Sequence, residues 1–281
     1  MTSSTGALKA AAIQMNSLAD VEANLASARR LLEQAHARGA KLAALPENFP
    51  IMGRKEADKL AIAETLGEGP IQAFLSRCAR ELEMWIIGGT MPIRSETRPG
   101  KVAAASLVFD DSGRFVARYD KIHLFDVNLP DREERYRESA TIDAGNKPVV
   151  VATPLGRIGL AVCYDVRFPE LFRHLQAQGA QILCLPAAFT AATGRAHWET
   201  LIRARAIENL SYVIAPAQSG VHENGRETWG DSMIVDPWGH VLDRVSEVGA
   251  GVAVAEIDLT LQQQVRERFP ALSHRRFQVT V

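Results

Sequence analysis

Cysteine is scarce in this chain: three residues in 281, with no Cys-x-x-Cys pair and no Cys/His cluster at metal-ligand spacing. An odd, scattered set gives a disulfide framework or a structural zinc site nothing to build on. Charge of one sign is missing too. Lys and Arg number 32 against 33 Asp and Glu, a net charge of −1, which excludes a strongly basic nucleic-acid face. Long apolar runs are also absent. VAAASLVF (102–109) falls well short of the roughly 20 residues that span a bilayer. The opening MTSSTGALKAAAIQM lacks the basic segment and long apolar core of a secretion signal. A cytoplasmic protein without nucleic-acid or membrane partners is expected.

What is present is ample core material, 47% hydrophobic residues, with no low-complexity segment or evident linker. A single domain over 1–281 fits best. Strand-like runs alternate with helical patterns: KAAAIQM, ANLASARRLLEQAHARG, AKLAALP, PIQAFLSRCARELE, then the strand-like WIIGGTMPI and AAASLVFD. DDSG between SLVF and RFVARYD reads as a hairpin turn. The order then repeats with RIGLAVC, PELFRHLQAQG and AQILCLP, followed by the hairpin SMIVDPWGHVLDRV and the strand GVAVAEID. Helices interspersed with both crossover and hairpin strands predict a layered mixed α/β fold rather than a purely parallel sheet.

RGAKLAALPENF (38–49) aligns without gaps to QGAQILCLPAAF (178–189), with Gly, Ala, Leu, Pro and Phe shared. Five matches in twelve are modest evidence alone, because helix–Gly–strand connections share such residues for backbone reasons. The difference is more informative: Glu47 and Asn48 stand where the second copy has Ala187 and Ala188. Ligand sites in α/β sheets lie beyond the carboxyl ends of strands, which is where Glu47 falls.

Three apolar strands end in a reactive group: LAALPENF in Glu47, RFVARYDKIHLFD in Lys121, IGLAVCYD in Cys163. Alone, each charged residue is ordinarily a surface ion-pair partner, and only the combination suggests a site. Cys163 is the one strong nucleophile, and a thiol of pKa about 8.5 needs a base or a nearby cation. Glu47 could serve as base and Lys121 could face a developing oxyanion. Lysine favours a thiolate while a carboxylate disfavours it, so the thiol proton is expected to leave during attack. Cys78, in a helical segment, and Cys184, in ILCLP, read as packed thiols.

LPENF, DKIHLFD and GLAVCYDVRFPEL together resemble the signature segments of the nitrilase-like carbon–nitrogen hydrolases, and the likeness runs from AAIQM to GVAVAEID. The resemblance implies a four-layer α-β-β-α sandwich with two similar halves and a Glu–Lys–Cys triad at Glu47, Lys121 and Cys163. It further implies an accessory glutamate at Glu138, an oxyanion hole of Lys121 and the Tyr164 backbone N–H, homodimers or larger assemblies, and no metal or organic cofactor. The C-terminal tail (about 262–281) is a candidate dimer contact. CYDVRFPELFR, FTAATGRAHWETLIRARAIEN and IAPAQSGVHENGRETWGDSMIVDPWG resemble the Nit-like amidase branch, which implies a small α-keto-acid amide of the deaminated-glutathione type as substrate. ω-Amidase action on α-ketoglutaramate, N-carbamoyl hydrolysis and a non-enzymatic scaffold are the alternatives.

An anionic keto acid needs a cation. Arg167 could grip its carboxylate through two hydrogen bonds, or instead pair structurally with Asp165 or Glu170. Phe189 and Thr193 are further substrate-binding candidates by the same resemblance. His123 and His197 are expected to be structural rather than basic.

Overall fold

The computed structural model describes residues 8–128 and 135–277. Its first half runs β1 (Leu8–Gln14), α1 (Val21–Ala37), β2 (Ala40–Ala44), α2 (Asp58–Ala61), α3 (Pro70–Glu81), β3 (Trp85–Ile87), β4 (Met91–Arg94), β5 (Val102–Phe109) and β6 (Phe115–Asp120). A short ribbon of β7 (Asp126–Asn128) and β8 (Arg135–Arg137) leads into the second half. That half comprises β9 (Val149–Thr153), β10 (Gly156–Leu160), α4 (Pro169–Ala177), β11 (Ile182–Cys184), α5 (Ala191–Asn209) and β12 (Tyr212–Ala215). It continues with the ribbon β13 (Ser219–Val221) and β14 (Glu227–Trp229), then β15 (Ser232–Val235) and β16 (Val241–Val245). Finally β17 (Gly251–Ile257) returns to lie antiparallel to β1, and α6 (Leu259–Arg268) follows.

Among the described residues the strands form a seven-stranded sheet, β17-β1-β2-β3-β5-β4 with β6 beside β5, and a six-stranded sheet, β16-β15-β12-β11-β10-β9. Each contains a parallel triplet, β1-β2-β3 in one and β10-β11-β12 in the other, framed by antiparallel neighbours. The segment WIIGGTMPI is one strand in pattern but two in space. β3 and β4 both pair with β5, interrupted at Gly88 and Gly89. Gly89 has φ +50°, and a Cβ there would lie 2.0 Å from the Pro46 carbonyl oxygen. Only glycine lets that bend approach the end of β2.

Period-two alternation explains the layering. Ala10, Ala12, Leu42, Ala44, Ile87 and Val108 share a core with Ile158, Leu160 and Ile182 of the second sheet. The intervening Ala11, Ile13, Ala43, Leu45 and Ile86 pack with Leu31 and Leu32 of α1 and Leu75 and Cys78 of α3. In the second sheet Gly159 turns the other way, and a Cβ there would lie 3.1 Å from Leu175 of α4. Phe172, Leu175, Ile202 and Ala206 of α4 and α5 complete the outer layer. The result is the four-layer α-β-β-α sandwich with two similar halves that the resemblance implies, within the layered α/β class that the patterning predicts. Each fully buried Leu, Ile or Phe contributes about 1.5–3 kcal/mol to that packing.

Candidate active site

Four chain segments converge beyond the strand ends. After β2, Asn48 takes φ +57° and donates its N–H to Thr90 Oγ1 at 2.8 Å, turning the chain so that Glu47 is 3% exposed. Lys121 follows β6 directly, its N–H on the Ala104 carbonyl at 3.1 Å and its carbonyl accepting from Gly145. Cys163 opens a turn of 3-10 helix (Cys163–Arg167) just past β10. It has φ +47°, and its N–H donates to the Pro186 carbonyl at 2.9 Å. Left-handed backbone at a residue with a side chain is strained, and the surrounding bonds must hold it there.

Much of that hold comes from Asp165, which sequence reading weighed only as an ion-pair partner. The fully buried carboxylate accepts from Val162 N–H at 2.7 Å, Tyr119 Oη at 2.7 Å and His123 N–H at 3.1 Å, and lies 2.7 Å from His123 Nδ1. It therefore buckles the turn bearing Cys163 to the segment bearing Lys121. His123 also stacks on Phe168 at 3.7 Å, the arrangement of a structural histidine.

The side chains meet in a chain of hydrogen bonds. Lys121 Nζ lies 2.8 Å from Glu47 Oε1 and 2.8 Å from Glu138 Oε2, and the Phe125 N–H donates to Glu138 at 2.7 Å. The other oxygen of Glu47 accepts the Ala188 N–H at 2.7 Å. So the echoed strand end, where alanine replaces the glutamate, contributes its backbone to the glutamate of the first copy. The Cys163 thiol lies close enough to Glu47 to feel its charge.

Electrostatics follow from this geometry. Burial would raise the Glu47 carboxyl, but the Lys121 ammonium outweighs it and holds Glu47 below its ordinary value. Burial would lower Lys121, and the carboxylates of Glu138 and Glu47 instead drive it well up. Burial, reinforced by Glu47, pushes the Cys163 thiol far up, so the resting sulfur keeps its proton. A thiol beside an ionised carboxylate and a buried ammonium is equipped for acyl transfer with the proton taken in flight.

These groups line a cavity of about 610 Å³, counting its part open to solvent. Tyr164, Arg167, Phe189 and Thr193 line it as well. Arg167 packs over the Phe189 ring at 5.0 Å and the Tyr164 ring at 5.9 Å, with Nη1 3.2 Å from His197 Nδ1. Among the described residues no carboxylate lies within 4.0 Å of it, so neither Asp165 nor Glu170 is its ion-pair partner. Thr193 Oγ1 is 2.8 Å from Thr190 Oγ1. Cys78 and Cys184 are fully buried, away from this cavity. Sequence reading missed Glu56, Lys59 and Arg226 on its wall. Their segments carry turn and helix signals but nothing that says where a side chain points. Among the described residues no cluster of His, Cys, Asp and Glu could hold a metal ion.

Fold and site together define a class, hydrolases of carbon–nitrogen bonds. The chain belongs to the carbon-nitrogen hydrolase family, whose model matches residues 9–267. It is 46% identical over 270 residues to a deaminated glutathione amidase of Synechocystis, covering 95% of this chain and 98% of that one. The structure is similar to the NitFhit protein of C. elegans, with TM-score 0.89 and 39% identity over 97% of this chain and 66% of that longer one. It is also similar to Nit3 of Saccharomyces cerevisiae, a nitrilase-superfamily member, with TM-score 0.85 and 29% identity over 96% and 97% of the two chains.

Proposed function

We propose that this chain is a thiol amidase of the deaminated-glutathione type, cleaving the amide of a small α-keto acid. The observation that carries the reading is the bonded run Glu47–Lys121–Glu138 beside the Cys163 thiol, in a cavity whose wall holds Arg167, a guanidinium with no carboxylate partner among the described residues. Kinship with deaminated glutathione amidases supports the substrate class.

Glu47 takes the thiol proton as Cys163 Sγ attacks the amide carbonyl. An ammonium has three protons. Those on Lys121 serve Glu47 and the two oxygens of Glu138, and one of them turns to the oxyanion, together with the Tyr164 N–H, as charge develops there. Losing one such donor costs on the order of a hundredfold or more in rate. Protonated Glu47 then delivers its proton to the departing amine, leaving an acyl thioester on Cys163. The same carboxylate deprotonates a water that attacks the thioester, and the thiol is re-protonated as the keto diacid leaves. Glu138 keeps Lys121 charged and aimed. Arg167 receives the keto-acid carboxylate, with Phe189 under the guanidinium and Thr193 beside it.

Purified protein given deaminated glutathione and α-ketoglutaramate is expected to favour the first, with an α-ketoglutaryl adduct on Cys163 in rapidly quenched samples. Preference for α-ketoglutaramate makes it an ω-amidase, and preferential release of carbon dioxide with ammonia from an N-carbamoyl amino acid makes it a carbamoyl hydrolase. Either result ends this reading. Assembly as a homodimer is part of the proposal. Trp238 and Phe269, each 51% exposed, stand edge-to-face near the C-terminal segment, and such an aromatic face suits a second copy.

A further inference from the structure

Arg226 enters the same cavity from the turn between β13 and β14. That turn is anchored. His222 is buried with its ring nitrogens 2.9 Å from the Ser17 carbonyl and 2.7 Å from Thr228 Oγ1, and Asn224 Nδ2 donates to the Gly53 carbonyl at 2.9 Å. The guanidinium packs over the Tyr136 ring at 5.2 Å and donates Nη2 to the Ala188 carbonyl at 2.5 Å. Its Nε is buried without a hydrogen-bond partner, and among the described residues no carboxylate lies within 4.0 Å. A partly buried guanidinium whose Nε is shut from water and which, among the described residues, meets only a carbonyl and a ring face is short of acceptors, which is costly unless a ligand supplies them. Neighbouring Lys59 differs, because Glu56 already neutralises it at 2.8 Å.

Arg167 and Arg226 are held by different parts of the cavity wall. Arg167 belongs with Tyr164 and Phe189 on the side of Cys163. Arg226 grips residue 188, whose N–H holds Glu47, and it is close enough to help depress the Glu47 carboxyl. An acyl group must lie toward the sulfur, and a departing amine toward the group that protonates it. Among the described residues, five cationic and three acidic side chains line the cavity, an excess of two positive charges. One carboxylate on the acyl part accounts for only one of them.

We propose that Arg226 forms a second anion subsite, which takes a carboxylate carried by the leaving amine, such as the C-terminal carboxylate of a released dipeptide. The proposal rests on the amidase reading above and adds the side chain that selects a charged leaving group over ammonia or a neutral amine. A planar guanidinium with donors to spare suits a carboxylate.

The test compares deaminated glutathione with its C-terminal glycinamide analogue, which differs only in that carboxylate, using wild type, Arg226→Gln and Arg226→Lys. Wild type is expected to prefer the acid by about tenfold or more in kcat/KM, mostly through KM, as one charge-assisted contact provides. Arg226→Gln should bring the two substrates to within about threefold, and Arg226→Lys should keep part of the preference. An equal loss on both substrates, leaving the ratio intact, would mean that Arg226 only supports the Ala188 segment and would overturn the subsite. A wild type indifferent to the carboxylate overturns it too. Failure to cleave either compound would instead remove the amidase reading on which the subsite depends.

Discussion

Cys163 carries its proton at rest, and Glu47 does not carry one; the proposed reaction begins from that pairing. Replacing Cys163 with Ala is expected to lower kcat by at least about a thousandfold while circular dichroism and melting stay near wild type, since such units lose most of their rate with one member. The pH behaviour follows from the signs. Glu47 has its folded value below the unfolded one, so its stabilisation is present above about pH 4.3 and lost as pH falls through the folded value. Lys121 is raised, so its stabilisation is complete below about pH 10.4 and lost as pH climbs through its higher folded value. kcat/KM should therefore stay flat from about pH 5 to 9, and an acid limb centred above pH 6 would contradict the assignment of Glu47 as the ionised base. Cys163, Glu47 and Lys121 are each legible in the sequence because apolar strands end on them. Asp165 and Arg226 are not, since the importance of Asp165 lies in four contacts from distant segments and that of Arg226 in a cavity wall.

At the scale of elements, the site depends on strand ends that meet from both sheets. Asp165→Asn removes an anion that accepts from Val162, Tyr119 and His123. We expect a loss of about 2–4 kcal/mol in stability, read from urea melts, and a fall in kcat as the Cys163 turn loosens. Unchanged melting would show that this buckle does not hold the turn. Gly89→Ala places a methyl group into the Pro46 carbonyl and strains a positive φ, so it should lower Tm and displace Glu47. The strand and helix order was legible from periodicity, and the DDSG hairpin falls between β5 and β6 as its turn residues require. The break inside WIIGGTMPI was not, because glycine pairs permit a bend without demanding one. The echoed segments were also visible. That the alanine copy lends its backbone N–H to Glu47 was not, since a sequence displays side chains and this donor belongs to the main chain.

Across the whole molecule, two sheets of one chain close over a cavity that neither builds alone: Glu47 and Lys121 come from the first half, Cys163, Ala188 and Arg226 from the second. The exposed Trp238–Phe269 pair predicts a further level of assembly. Trp238→Glu is expected to shift the molar mass measured by light scattering from dimer toward monomer, and a dimer that survives the change would place the interface elsewhere. The order of elements, the layered α/β class and the three reactive strand ends were determined by the sequence itself, because periodicity and residue type are local properties. Which oxygen of Glu47 meets which donor, the buckle at Asp165 and the meeting of Arg167 and Arg226 on one cavity wall were decided only by the tertiary structure. Those are distances between residues far apart in the chain, and the packing of the two sheets sets them.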